Sequence, residues 1–446
     1  MAAPSLQDGI DKAGSPVQLL WKPNADPWTP EVVKPEYVGW RQEQTAWHEG
    51  VSISDLSHHM YDTFLEGPDA TKLLAAISAN NYEKFAIGQA KQFIPVNRDG
   101  NIITDGILLR EAEQKYTLSG IPAAQHWVTY HAERGGYDVT HSTDPSSAYR
   151  QGGGAPKLFR FQIQGPLAVQ LVESVFGGPL PTTKFFHSTP VTLDGRGFRA
   201  LRHGMAGQAG YEFIGDGADG EYVKEALLKA GEPLGLVHVG AFAYTTASVE
   251  SGWIPSPTPA VYTDPELLDY RGYLPLYGIE GQRPLHGSFF SEDIEDYYCT
   301  PYELGYGRLI NLSHDFIGRD ALEKAKENVR RTKVTLVFND DDVHSVLGDD
   351  PGFVLSYARN RVESGSALVG STYHTASLEP YASVLALSLV EREHAAPGTE
   401  VTVVWGEHPG PGTDPGAVDG FPRIRATVQP APYNEYARTQ YRSDKK

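Results

Sequence analysis

Tyr244, Trp253, Glu212, Asp105 and the adjacent pair His58 and His59 are the side chains of this sequence whose types and settings suit chemistry. Tyr244 and Trp253 stand ahead of a run with Pro at every second position, Pro255, Pro257 and Pro259. Proline fixes φ and removes a backbone donor, so neither a helix nor a central strand continues through that run. A stiff extended segment holds the side chains before it, which suits the wall of a pocket for a flat ligand. A Pro-rich surface connection with two aromatics packed inward is the plainer reading of the same residues. Glu212 interrupts an apolar strand after the Gly-rich turn within Arg199 to Gly215, and a carboxylate there must find donors if buried. Asp105 falls in the second strand of a predicted hairpin, Lys91 to Arg110, that turns at Arg98-Asp99-Gly100. His58 and His59, placed on a strand, point to opposite faces, so at most one of them faces a site. No His-x-x-x-His pair and no cysteine cluster accompanies them, which argues against a metal centre.

The elements that must position these residues follow from composition and pattern. With 446 residues, 40% hydrophobic and 21% charged, the chain reads as a globular protein of two or three domains. A net charge of -18 repels nucleic acid and anionic membranes and favours a small-molecule partner. Cys299 is the one cysteine, so no internal disulfide forms; the N-terminus lacks a signal pattern and no apolar run approaches a membrane span. These features predict a soluble cytoplasmic protein. Residues 1–36, polar with six prolines, predict a loosely structured surface arm. Tyr37 to Ser54 carries Trp40, Trp47 and Val51 at helical spacing and predicts a helix entering a strand. Thr63 to Leu74, TFLEGPDATKLL, and Phe161 to Val172, FQIQGPLAVQLV, both read as strand, Gly-Pro, then helix with Pro at its first position. Such a repeat predicts an internally duplicated α+β unit within residues 37–325. Ser142 to Pro156 reads as a flexible connection whose glycines lack the Gly-Lys-Ser/Thr of a phosphate loop. Residues 326–446 read as an all-β domain, with strands at Lys333 to Phe338, Tyr381 to Val390, Val401 to Trp405 and Ile424 to Val428.

Five pieces in order carry a family resemblance: Ile163-Gln164-Gly165-Pro166, Gly210-Tyr211-Glu212, Val249-Glu250-Ser251-Gly252, Thr300 to Gly305, and Asp315 to Leu322. Together they resemble the tetrahydrofolate-binding aminomethyltransferase family of the glycine cleavage T-protein. Ser57-His58-His59-Met60, the Pro-rich stretch, Gly287-Ser288-Phe289 and Asp296 to Tyr306 are most similar to its aryl O-demethylases of the vanillate and syringate type. The resemblance implies an α+β cloverleaf: a duplicated α/β folate-binding body plus a C-terminal β-barrel. It implies Tyr244 and His59 as catalytic residues, and Glu212, Asp105, Trp253 and Tyr306 as contacts to tetrahydrofolate. It places Tyr61, Ile121 and His58 around a methoxylated aromatic, with Tyr61 and Arg319 also read as folate neighbours. T-proteins have Arg at the position of Tyr244 and Asp-Asp at Thr104-Asp105, which argues against glycine cleavage. The vanillate type carries Arg for the substrate carboxylate near Ile121; here that carboxylate is met by another base, Arg271, Arg283 or His286, or the substrate is uncharged.

Methyl transfer from an aryl ether to an amine nitrogen is an in-line displacement whose poor participant is the leaving phenolate. A protein must supply alignment, worth roughly 7 to 11 kcal/mol, and a proton on the ether oxygen, worth about 10²- to 10⁴-fold. The Tyr244 phenol, ordinarily near pKa 10, matches the leaving phenol, and His59 is the second choice as an orienting donor or proton relay to it. A sulfonium methyl donor, an aminomethyl transfer that needs a surface for a lipoyl-protein partner, and a non-catalytic folate-binding protein are the competing readings.

Overall fold

The computed structural model describes residues 3–30, 32–147, 150, 154–255, 257–349 and 351–443. Part of the predicted flexible connection, residues 148, 149 and 151–153, lies outside the described residues.

The N-terminal residues are not a loose arm. Ser5 caps helix α1 (Leu6–Ala13) in a capping box with Asp8, and Ser15 caps α2 (Pro16–Leu20), which has Pro in its first turn. Leu6, Val17, Leu20 and Trp21 are buried in one core with Tyr270, Leu274 and Phe290. Backbone bonds fasten the segment: the Leu6 amide donates to Leu274 at 2.8 Å and that of Lys22 to Leu285 at 2.9 Å. The proline count concealed a Ser-x-x-Asp start signal followed by Leu6 and Ile10 one turn apart.

Helix α3 (Trp40–Glu49) leads into strand β1 (Ser52–Asp55), as the Trp40, Trp47, Val51 spacing predicts. The first copy of the repeat then runs β2 (Tyr61–Glu66), α4 (Ala70–Ala76), β3 (Ala90–Phe93), β4 (Gly106–Ala112), β5 (Lys115–Gly120), α5 (Pro122–Arg134) and β6 (Thr140–Asp144). The second runs β7 (Leu158–Gln164), α6 (Ala168–Phe176), β8 (Ser188–Leu193), β9 (Arg196–Leu201), β10 (Gly210–Asp216), α7 (Gly220–Gly231) and β11 (Val237–Val239). One sheet has the order β3-β4-β5-β2-β6 and the other β8-β9-β10-β7-β1-β11, the same order with β1 inserted. The glycines of the two Gly-Pro steps are equivalent in detail. Gly67 (φ 147°) and Gly165 (φ 124°) both lie where a neighbouring carbonyl would meet a Cβ, Asp138 O at 2.5 Å and Gly50 O at 2.4 Å. Pro68 and Pro166 sit in the turn two residues ahead of their helices rather than at the first helical position. The two sheets touch at their β3 and β8 ends, where Gln89 bridges His187 and the Ala90 amide donates to Phe186 at 2.7 Å.

Helix α8 (Ala241–Ser251) follows β11 and is stopped by Gly252 in the left-handed region, ahead of the prolines. Tyr244 therefore stands on a helix, and the packing of that helix, not the Pro-rich run, fixes it. Gln44 of α3 anchors α8 through Thr246 Oγ1 at 2.9 Å.

The C-terminal domain contains β12 (Arg331–Phe338), β13 (Leu355–Ser356), β14 (Arg361–Ser364), β15 (Ala367–Leu378), β16 (Ser383–Glu391), β17 (Glu400–Val404) and β18 (Arg423–Pro430). The order β15-β14-β17-β18-β12-β16 closes through a β15–β16 pairing into a six-stranded barrel, with β13 added outside on β15. All four predicted strands are present within two residues. Strands β13, β14 and β15 were not predicted: β15 carries Gly370, Ser371, Thr372 and His374, a polar and Gly-containing run, yet most of it is buried. No helix among the described residues is long and apolar enough to cross a membrane.

Candidate functional site

Two cavities meet at Tyr244. The larger, about 950 Å³, lies between the two repeat sheets and is lined from β3, β4, β5, β7 and β10. The smaller, about 420 Å³, lies between α8, the start of α5, the N-terminal segment and residues 279–286. Met60, Gly120, Met205, Tyr244 and Trp253 line both, so they form the wall between them.

In the larger cavity Glu212, on β10, is buried beside β7. Its carboxylate receives Arg160 Nε at 3.3 Å and Gln162 Nε2 at 3.3 Å. Both contacts are long for charge-assisted bonds, which leaves lone pairs for a ligand. Arg160 is the organising residue that the sequence reading missed. It donates to Asp62 Oδ2 at 2.9 Å and Ser119 Oγ at 2.7 Å, and Ser119 in turn donates to Asp62 Oδ1 at 2.6 Å. Asp62 and Arg160 each stand five residues before the glycine of their Gly-Pro step, so the duplication pairs its two copies through one ion pair. Burial opposes the Arg160 charge, but Asp62 and Glu212 overcome it and its pKa is raised. Burial likewise raises the pKa of Glu212, against the pull of Arg160. The rule that singled out Glu212, a charge inside an apolar strand, applies equally to Arg160 in Leu158 to Gln164.

Asp105 lies one residue ahead of β4 rather than within it, and it backs the cavity rather than lining it. Its Oδ2 accepts from Gln92 Nε2 at 2.5 Å, Trp253 Nε1 at 2.8 Å and the Tyr306 hydroxyl, while Oδ1 has no partner. Burial raises its pKa despite these donors. Its effect is to hold Trp253 and Tyr306, which do line the larger cavity. Lys333, from β12 of the barrel, reaches the same cavity; burial lowers its pKa to about 8, helped by the neighbouring Arg442 charge. A carboxylate with spare acceptor capacity, flat aromatic walls and cations including Lys91, Lys333 and Arg442 fit the pterin and the acidic tail of tetrahydrofolate. Glu212→Gln tests Glu212 as the pterin contact: an amide donor would then face pterin donors, so folate affinity is expected to fall by about 1.5 to 3 kcal/mol, and unchanged affinity by calorimetry in the folded variant rules out this role.

Tyr244 is 4.6 Å from His59, ring centroid to centroid, edge to face. Burial first, and then the Glu212 charge, push the Tyr244 pKa well up, so its hydroxyl stays protonated and is available as a hydrogen-bond donor. His59 lines the smaller cavity, and neither ring nitrogen has a hydrogen-bond partner. The contact between the rings is apolar, so His59 does not relay a proton to Tyr244 in this arrangement. Burial depresses its pKa to about 3. His58 and His59 stand in a turn between β1 and β2, not on a strand. His58 is half-buried and lines neither cavity; its carbonyl accepts the Ser147 amide at 3.1 Å. Tyr61 also lines neither cavity and packs edge-on against His126 at 6.0 Å. Neither residue reaches a cavity wall in this arrangement. Arg319 is tied to Leu312 O and Asp320 outside the cavities.

Ile121 lines the smaller cavity as expected, with Arg283 and His286. Arg271 does not; it is bound to Gln7, the Val261 carbonyl and the Asp264 carbonyl. Asp26 and Trp28 of the N-terminal segment, and Tyr357 and Arg359 from the barrel domain, complete the wall, and none of the four carried a local sequence signal.

The His59 setting has a pH consequence. The unfolded imidazole takes up a proton below about 6.5, whereas the folded one resists until about 3. Folding stability is therefore full above that unfolded value and falls as pH drops from it toward about 3. His203 and His374, depressed to about 3 by burial, add to the same slope. Urea titrations at stepped pH should show this decline, and His59→Gln should lessen it; an equal decline in the variant contradicts a neutral buried His59.

A family described as the GCVT N-terminal domain matches residues 27–256. Syringate O-demethylase of Sphingobium sp. is 36% identical over 454 aligned residues, 98% of each chain. Sesamin methylene transferase of Sinomonas sp. is 30% identical over 89% of each chain. The glycine cleavage system aminomethyltransferase T of Bartonella henselae superposes with a TM-score of 0.63 over 96% of each chain at 18% identity, a likeness of fold. With the family match spanning half the sequence and a relative aligned along nearly all of it, this chain belongs to the GCVT aminomethyltransferase family.

Proposed function

We propose that the protein transfers a methyl group from a methoxylated aromatic to tetrahydrofolate, giving the phenol and 5-methyltetrahydrofolate. The observation that carries this reading is Tyr244, a protonated phenol set in the wall shared by two cavities, the larger of which carries the charged side chains Glu212, Lys91 and Lys333. A direct transfer needs two substrates on either side of such a group. The likeness to the relative named for O-demethylation of syringate supports it.

When bound, tetrahydrofolate supplies N5, which accepts the methyl group and gives up its own proton, so ether and amine become phenol and N-methyl amine in balance. The residues of the chain supply position and hydrogen bonding. Glu212, steadied by Arg160 and Gln162, would hold the pterin edge, and Trp253, fixed by Asp105, would limit how the ring lies. Apolar neighbours such as Met60, Met205 and Trp253 line the wall around Tyr244, and a fixed donor acts more strongly there than in solvent. Tyr244 would donate to the ether oxygen as its bond to methyl breaks. Burial keeps that phenol protonated but raises its pKa above that of the leaving phenol, so the balance expected from an ordinary phenol is lost and Tyr244 would act by hydrogen bonding to the departing oxygen, ahead of full proton transfer.

A sulfonium donor leaves as a neutral sulfide and needs no acid. Methoxybenzoates, methoxyphenols and sulfonium compounds offered separately with tetrahydrofolate distinguish the readings. Phenol release from the ethers, only with tetrahydrofolate present, is expected. Faster turnover of sulfonium compounds, or folate binding with no turnover at all, contradicts it.

A further inference from the structure

We propose that Arg359 recognises a carboxylate in the smaller cavity, so that the aromatic substrate is a carboxylic acid held against the C-terminal domain. This rests on the methyl-transfer reading above. Arg359 lines the smaller cavity yet is only 4% exposed. Other buried or half-buried guanidiniums are neutralised or tied down. Arg160 pairs with Asp62 and Glu212, Arg331 with Glu303 at 2.7 Å, and Arg271 is bound by two carbonyls and Gln7. Arg359 donates from Nη1 to the Tyr373 carbonyl at 3.3 Å, while its Nε has no partner. No ion pair with a carboxylate forms at Arg359 among the described residues, and the nearby Arg331 charge repels it.

A buried charge without a counter-ion is costly, and an arriving anion removes that cost. The guanidinium lies over the Tyr373 ring, 3.7 Å from its centroid, which fixes its plane. A fixed planar fork is what bidentate recognition of a carboxylate requires. The cavity's other bases are less suited. His286 Nδ1 is 2.9 Å from Glu407, whose own carboxylate offsets any charge there. Arg283 adds positive potential to the same wall. Ile121, at the mouth of α5, brings no charge. The acid end is thus met from the barrel side, by a residue arriving from a loop ahead of β14. Tyr244 lines the same cavity, which leaves the methoxy end of the ring to it.

The test compares 4-hydroxy-3-methoxybenzoate with its carboxamide in the wild type and in Arg359→Met, and measures binding of 4-hydroxybenzoate by calorimetry. The ratio of kcat/KM for acid over amide should fall by about tenfold to a hundredfold, the range for bonds to charged groups, mainly through KM. Benzoate affinity should fall alike. A purely structural role lowers acid and amide together and leaves the ratio unchanged, which would overturn the proposal. Arg359→Lys, which keeps the charge without the fork, should lose an intermediate amount. An unchanged ratio in it, should Arg359→Met fail to fold, overturns the proposal as well. If the wild type demethylates neither compound, the methyl-transfer reading fails, and the calorimetric comparison still decides Arg359: equal benzoate binding in wild type and variant refutes it, and loss of binding supports it.

Discussion

Tyr244→Phe lowers kcat and kcat/KM together by about 10²- to 10⁴-fold, with folate affinity near normal and KM little changed. The expectation follows from where the hydroxyl sits and what state it is in. Tyr244 lies in the wall common to both cavities, and burial with the Glu212 charge holds its hydroxyl protonated. A hydrogen bond to an ether oxygen is weak in the ground state and strengthens as that oxygen becomes phenolate, so its loss appears in the transition state. Alignment remains in the variant because the phenyl ring keeps its edge-to-face contact with His59. The loss should shrink for ethers whose rings carry electron-withdrawing groups, since a more stable phenolate needs less protonation. A raised KM with kcat intact would make Tyr244 a binding contact. His59 does not inherit the acid role easily, because burial keeps it neutral.

Arg160→Met destabilises the fold by about 3 to 5 kcal/mol, the cost of leaving a buried pair without one member. Here two carboxylates, Asp62 at 4% and Glu212 at 6% exposure, lose their common cation. Urea denaturation measures the cost. Removing Asp62 as well, in Arg160→Met with Asp62→Leu, should recover part of it, because one uncompensated charge goes. A loss under about 1 kcal/mol, the scale of an exposed pair, would mean that the two repeat copies are held together by other contacts.

The elements with strong local periodicity were legible in the sequence. The two Gly-Pro repeats announced the duplication because glycine alone tolerates a neighbouring carbonyl at that distance, so the step had to recur with the fold. Glu212 was legible as a charge inside an apolar strand. Arg160 obeyed the same rule and was passed over, although the two meet at 3.3 Å. Tyr244 was assigned to the right neighbourhood by the wrong device: α8 holds it, and Gly252 ends that helix before the prolines begin. His58 and His59 were read with strand geometry, and the turn they occupy sends only His59 into a cavity. Asp105 proved a positioning residue because three donors from separate segments converge on one oxygen, a meeting no local pattern encodes. Trp28 and Arg359 reach the smaller cavity from opposite ends of the chain, as lone residues in loops. Tertiary packing alone places them.

The most direct test follows the carbon. A methoxylated aromatic acid labelled with ¹³C in its O-methyl group is incubated with the full chain and tetrahydrofolate, and both products are observed by NMR. The label should appear as an N-methyl signal of 5-methyltetrahydrofolate in step with release of the unlabelled phenol, and Tyr244→Phe should slow both equally. Label appearing as formaldehyde, methanol or a methylene bridge, or phenol forming without tetrahydrofolate, would contradict direct methyl transfer between the two cavities.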